Sequence, residues 1–229
     1  MCYCLYTVLG AVFFKLNIME TDLFGNKTTR IVICSDAHIW LNNNKNNKAI
    51  ITSLPDMEEV GMDVNDWVNW IKKTCKFIID SLDDNGIVIF YQTDRKYKGR
   101  ILDKKTLISN EFIKLGYNNI FNKIVLKQKP ETTNLFRPTF TNLFGFSKKI
   151  TSGKSTPDVI NCGKMIYKNA MGLNACKTSI EFIKSKIDTN IIIDPFCGQG
   201  SILKIANEMG VNSIGVDILK EQCIKAKNI

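Results

Sequence analysis

Hydrophobic and polar positions alternate between two rhythms along this chain. Val64, Trp67, Val68, Ile71, Cys75, Ile78 and Leu82 recur at helical spacing. Asp63 stands where an N-cap belongs, and Asp84-Asn85-Gly86 reads as the stop. A second helix is predicted over Lys104 to Leu115, closed by Gly116, and a third after Ala170-Met171-Gly172-Leu173, running to about Ser185. Short β-branched runs supply strands at Arg30–Cys34, Lys48–Thr52, Gly86–Asp94, Ile120–Leu126, Thr139–Phe146, Ile191–Asp194 and Ser213–Asp217. Strands alternating with helices predict an α/β, doubly wound, mostly parallel sheet of seven strands, with Ile120–Leu126 and Thr139–Phe146 as an antiparallel edge pair. The run Asn42 to Lys48 reads as a solvated polar loop, and Ser147 to Pro157 as another polar segment.

The richest chemistry lies near the end of the chain. Asp194-Pro195 closes a strand, and Gly198 and Gly200 permit a tight turn into a helix from Ser201 to Met209, stopped by Gly210. The next strand ends in Asp217, and a further helix begins at Leu219. Glycines that let backbone approach a ligand, followed by a distal acid for ribose hydroxyls, are the logic of a nucleotide site. No Gly-x-Gly-x-x-Gly and no Gly-Lys-[Ser/Thr] occurs, which weighs against nicotinamide and P-loop binding.

The loop Asp194-Pro195-Phe196-Cys197-Gly198-Gln199-Gly200-Ser201 resembles motif I of S-adenosylmethionine-dependent methyltransferases, especially the amino-methyltransferases of nucleic acids. That resemblance implies that Asp194 to Gly200 lie against the methionine part of S-adenosylmethionine and that Asp217 holds its ribose. Ser53-Leu54-Pro55-Asp56 occupies the place of motif IV, Asp36 that of the motif III acid near the adenine, and Met171 lies in the segment placed like motif X. The order III, IV, X, I, II resembles a permuted class of DNA amino-methyltransferases and, more closely, a family of stand-alone proteins called DNA methylases. A Rossmann-like methyltransferase fold with permuted motif order is therefore expected over 30–229, preceded by an extension over 1–29.

The resemblance implies that the first motif IV side chain and the next carbonyl, here Ser53 and Leu54, accept the target amine's hydrogens, with Pro55 shaping the turn. An aromatic usually follows, to stack on a flipped base. Asp56 cannot stack. Three readings stay open: Asp56 is a base or amine acceptor for an unusual nucleophile, the substrate is not a flipped DNA base, or Asp56 caps the following turn.

Composition narrows the partner. A formal charge of +9 suits a polyanion, although a lysine-rich solvated surface would give the same value. A chain of 229 residues leaves no room for a large recognition domain, which favours RNA recognised by shape over a specific DNA site, with or without a partner protein. The alternatives are a small-molecule or protein-side-chain methyltransferase and an inactive cofactor-binding subunit. Eight cysteines include no Cys-x-x-Cys pair and only His38 is available beside them, so neither a metal nor a disulfide framework is expected. Cys75 and Cys176 read as core, Cys197 as a small loop residue and His38 as a loop residue. The apolar run Met1 to Phe14 falls short of the roughly 20 residues a bilayer span needs. It reads as a packed extension or an upstream start, with a signal or anchor as the alternative. No stable membrane association is expected, and the location expected is cytoplasmic or nuclear.

Overall fold

A computed structural model describes residues 5–8, 11–21, 27–153 and 155–229. Parts of the Met1–Phe14 run, with Cys2 and Cys4, lie outside them. Twelve strands are described: β1 (Leu5–Val8), β2 (Ala11–Thr21), β3 (Lys27–Cys34), β4 (Asn47–Thr52), β5 (Leu82–Gln92), β6 (Arg95–Tyr97), β7 (Arg100–Leu102), β8 (Asn118–Leu126), β9 (Phe140–Ser147), β10 (Val159–Asn161), β11 (Ile191–Asp194) and β12 (Asn212–Asp217). The helices are α1 (Ala37–Asn43), α2 (Met57–Val60), α3 (Val64–Ser81), α4 (Lys104–Lys114), α5 (Leu173–Lys186), α6 (Ser201–Glu208) and α7 (Lys220–Asn228).

Ten strands form one sheet in the order β1-β2-β3-β12-β11-β4-β5-β9-β8-β10, and β6 and β7 form a separate hairpin. The five central strands β3, β12, β11, β4 and β5 are mutually parallel. The two strands nearest the C-terminus thus lie between β3 and β4, with Ile214 opposite Ile31 and Ile193 opposite Ile50. Parallel neighbours put the ends of β3, β4, β5, β11 and β12 on one rim, where α/β sites form.

Strand residues alternate between two cores. Ile87, Ile89 and Tyr91 face α5 and α6, while Val88 and Phe90 face α3 and α4. The helical spacing from Val64 has a cause in this packing, since Trp67, Ile71, Cys75 and Ile78 are all buried. Asp63 caps α3 as predicted, accepting the Asn65 and Asp66 N–H groups. Arg30, wholly buried, donates Nη1 to the carbonyls of Ala226, Lys227 and Ile229 and Nε to Asn207, so it ties β3 to the unsatisfied end of α7.

Several expectations need correction. The sheet has ten strands rather than seven, because β1 and β2 extend one edge and β10 the other. The β8–β9 pair is antiparallel, but β10 pairs parallel to β8 and covers it. Lys123 holds that cover by donating to the Thr156 carbonyl and to Asp158. The Asn42–Lys48 run is not one loop: α1 extends to Asn43 and β4 starts at Asn47. Apolar Ala37, Trp40 and Leu41 at helical spacing outweigh the asparagines there. Helix α3 ends at Ser81, ahead of the expected stop. Asp83 instead accepts the Asn85 N–H in a turn within the first part of β5. Among the described residues, no helix is long and apolar enough to cross a membrane. The apolar N-terminal run contributes strands, with β2 antiparallel to β3 from Phe14 opposite Cys34 to Thr21 opposite Lys27.

Candidate active site

The rim where β11 and β12 end carries the glycine loop. Gly198 and Gly200 have φ of 51° and 84°, in the left-handed region where a side chain is strained. Cys197 N–H donates to the Val216 carbonyl and Gly198 N–H to Asp217 Oδ2 at 3.0 Å, fixing the loop against β12. The other Asp217 oxygen accepts the Leu219 N–H at 2.8 Å. Each oxygen keeps a further lone-pair direction, so the carboxylate can also take a ribose hydroxyl. Burial raises its pKa.

Asp194 is buried, and its Oδ1 accepts both the Thr52 hydroxyl at 2.7 Å and the Phe196 N–H at 3.1 Å. Those bonds favour the anion, but burial outweighs them and pushes the pKa up to about 7. Asp194 therefore shapes the loop and fastens it to β4. Pro195 is buried, and Phe196 and Gln199 are half-buried. Phe196 meets Trp70 edge to face at 5.7 Å, and His38 stacks on Phe77 while sharing a 2.7 Å hydrogen bond with Thr74. His38 is thus committed to an aromatic cluster, and burial lowers its pKa. Cys197 is buried, and burial raises its thiol well above the ordinary range, which removes it as a nucleophile.

A methionine-type nucleotide fits this surface. A Cβ on Gly198 would meet only the Tyr167 hydroxyl, at 3.5 Å, so the loop's outer side is open except where Tyr167 overhangs it. Ser201 Oγ is buried at the start of α6 without a hydrogen-bond partner. Beyond Asp217, Ile218 and Leu219 are 65% and 57% exposed, an apolar shelf suited to a flat base. Asp36 lies two residues after the neighbouring β3 and accepts the Ile39 N–H at 3.0 Å as the N-cap of α1. Met171 is buried in the core that also holds Cys197. Among the described residues, no group of three or more His, Cys, Asp or Glu could hold a metal ion.

Because β4 neighbours β11, the turn Ser53–Asp56 lies beside the glycine loop. Ser53 and Pro55 are half-buried and Leu54 is buried. The Leu54 carbonyl takes a long 3.4 Å contact from Gln92, and the Pro55 carbonyl accepts Trp67 Nε1 at 3.0 Å. Asp56 begins α2 and donates its N–H to Glu59. Its carboxylate also meets two cations: Lys104 Nζ, itself buried, on one oxygen and Arg137 Nη2 at 2.7 Å on the other. Nearby, Lys127 Nζ donates to Thr93 Oγ1 at 2.7 Å, and burial with the adjacent Arg137 charge lowers its pKa to about 8.

The glycine loop, Asp217, Asp36, Met171 and the Ser53–Asp56 turn were singled out in the sequence as site candidates; the structure puts all but Met171, which is buried in the core, at or just after the ends of β3, β4, β11 and β12. Thr52, Trp70, Tyr167, Lys104, Lys127 and Arg137 were not singled out, because their contacts cross between elements far apart in the chain. The exposed Ile218-Leu219 pair had a signal, two apolar residues placed directly after a strand-ending acid.

The family described as DNA methylase matches residues 31–228. No match is found among curated proteins. Among solved structures, TTHA0409 of Thermus thermophilus, described as a candidate DNA modification methylase, is similar at 18% identity. The likeness covers 86% of this chain and 91% of that one, with a TM-score of 0.66. M1.HpyAVI in complex with SAM is 18% identical over 86% and 97% of the two chains, with a TM-score of 0.58. The cytosine-N4-specific PvuII DNA methyltransferase is 13% identical over 86% and 84%, with a TM-score of 0.65. At these identities the structural likeness speaks for the fold. The match over nearly all of the sheet from β3 to α7 identifies the lineage: this chain belongs to the DNA methylase family and is an S-adenosylmethionine-dependent methyltransferase.

Proposed function

We propose that the chain methylates an exocyclic amine of a nucleic acid, and of DNA in particular. The observation that carries this reading is the side-by-side placement of the glycine loop and the Ser53–Asp56 turn, fastened by the 2.7 Å Thr52–Asp194 hydrogen bond. The cofactor supplies an electrophilic methyl group on a sulfonium. Asp217 and the glycine loop would orient it, with the Ile218-Leu219 shelf under its base and Asp36 and Met171 at its two ends. An aromatic amine is a weak nucleophile because its lone pair is delocalised. Ser53 Oγ and the Leu54 carbonyl would accept the amine's hydrogens and draw the nitrogen toward sp3 geometry, so that its lone pair leaves conjugation with the ring and points in line at the methyl carbon. Nitrogen gains the methyl and loses one proton to solvent. Asp56, held by Lys104 and Arg137, would shape this turn rather than take the proton.

The family and the named substrate of the PvuII enzyme favour DNA over the RNA expected from the sequence. The permuted motif order is supported by the place of β11 and β12 between β3 and β4. The boundary expected at residue 30 falls inside β3, which pairs along its length with β2, so one unit including β2 is the better reading. Transfer of tritiated methyl to DNA, RNA and protein fractions tests the substrate. Labelled N4-methylcytosine or N6-methyladenine in DNA is the expected product. Label confined to RNA or protein would overturn the assignment.

A further inference from the structure

Two segments beside the Ser53–Asp56 turn carry an unusual surface. The β6–β7 hairpin region, 95–101, holds four basic side chains and no acid, and the loop 127–138 holds three basic residues and one acid. They are joined: Lys96 N–H donates to the Phe136 carbonyl at 3.2 Å, and Lys96 Nζ to the Asn134 carbonyl. Amid these cations Leu135 and Phe136 are 84% and 71% exposed. Their exposure is not that of a loose strand. Asn134 Oδ1 accepts the N–H groups of Phe136 and Arg137 at 2.9 and 3.1 Å, and the Arg137 guanidinium is fixed on buried Asp56. The chain thus holds two large apolar side chains in water, next to an arginine anchored three positions after Ser53.

We infer that Leu135 and Phe136 form an apolar plug that enters the base stack of duplex DNA beside the target nucleotide, within the cationic rim that tracks the phosphates. A base removed from a duplex leaves a gap, and an apolar wedge that fills it offsets the lost stacking. Lys96, Lys98, Arg100 and Lys129 give the surrounding surface the sign a phosphate backbone requires, while Arg95 is paired with Glu58. Charge and apolar exposure together would also suit an anionic membrane. The Arg137–Asp56 link favours DNA, because whatever meets the plug meets the turn that would hold the acceptor amine. The inference rests on the nucleic-acid reading above and names the form of DNA and the residues that open it.

The test uses the full chain with tritiated S-adenosylmethionine and sheared genomic DNA from cells lacking DNA amino-methylation, native or heat-denatured. The L135S/F136S double variant replaces exposed side chains, so folding should persist, and cofactor titration checks this. Methylation of native DNA should fall by at least about tenfold, while methylation of denatured DNA, which needs no opening, should stay within about twofold. Equal rates for variant and wild type on native DNA, or equal losses on both forms, would overturn the plug. Wild-type activity on denatured DNA alone would also overturn it. A wild type inactive on both forms would instead remove the DNA reading, and the plug with it. Loss of binding to phosphatidylglycerol vesicles with native DNA methylation intact would assign the surface to a membrane and refute the inference.

Discussion

Replacing Asp56 by alanine separates the roles that its position allows. A simple turn cap would cost about 1 kcal/mol. The structure requires more, because Asp56 is the counter-charge of Lys104, whose side chain is only 4% exposed. Removing one partner of a buried pair leaves an uncompensated charge, at a cost of about 3–5 kcal/mol. The Arg137 pair adds little, since that side chain is 35% exposed and water screens it. For a chain of this size, 3–5 kcal/mol lowers Tm by roughly 6–20 °C. Thermal unfolding followed by circular dichroism reads the shift directly. The D56L/K104M double variant should recover most of it, because it removes both charges and leaves apolar volume. A D56A shift under about 3 °C would refute the buried-pair reasoning. A folded D56A protein whose kcat falls by about 100-fold, with cofactor affinity unchanged, would restore the proton-transfer role.

Asp194 gives a pH dependence. Its folded pKa of about 7 lies above the ordinary aspartate value, so the folded state binds the proton more tightly than the unfolded chain. That stabilisation is fully present below about pH 4 and is lost as pH rises through 7. Denaturant unfolding from pH 4 to 8 should show the decline, and D194N, uncharged throughout, should lack that component. R30M should destabilise the fold by roughly 3 kcal/mol or more, because the α7 carbonyls and Asn207 lose a buried charged donor. A denaturant midpoint within error of wild type would contradict this. The buried Cys75, Cys176 and Cys197 thiols, all raised by burial, should resist iodoacetamide at pH 8 in the folded protein and react on unfolding. Mass spectrometry of tryptic peptides reads the modification.

What was legible in the sequence was local. Asp63 before a helical stripe predicts the start of α3, and Asp194 to Gly200 followed by Asp217 predicts a strand-loop-helix-strand nucleotide site. The edges of the sheet were less legible. β10 is only three residues long, and the Lys123 contacts to Thr156 and Asp158 that accompany its pairing with β8 span more than thirty residues of chain. The asparagine run hid the end of α1 because its buried positions, Trp40 and Leu41, precede the run. Asp56 could be read as a cap or a base, since Lys104 and Arg137 lie 48 and 81 residues further along. No local pattern announces an ion pair formed by three separate elements.

The central claim is that the glycine loop and Asp217 hold S-adenosylmethionine. Isothermal titration calorimetry of the wild type and D217A with this nucleotide and its demethylated product tests it most directly. The wild type should bind both, and D217A should bind each about 10- to 150-fold more weakly, the equivalent of one charged hydrogen bond of about 1.5–3 kcal/mol. No binding of either nucleotide to the folded wild type would contradict the account, and so would unchanged affinity in D217A.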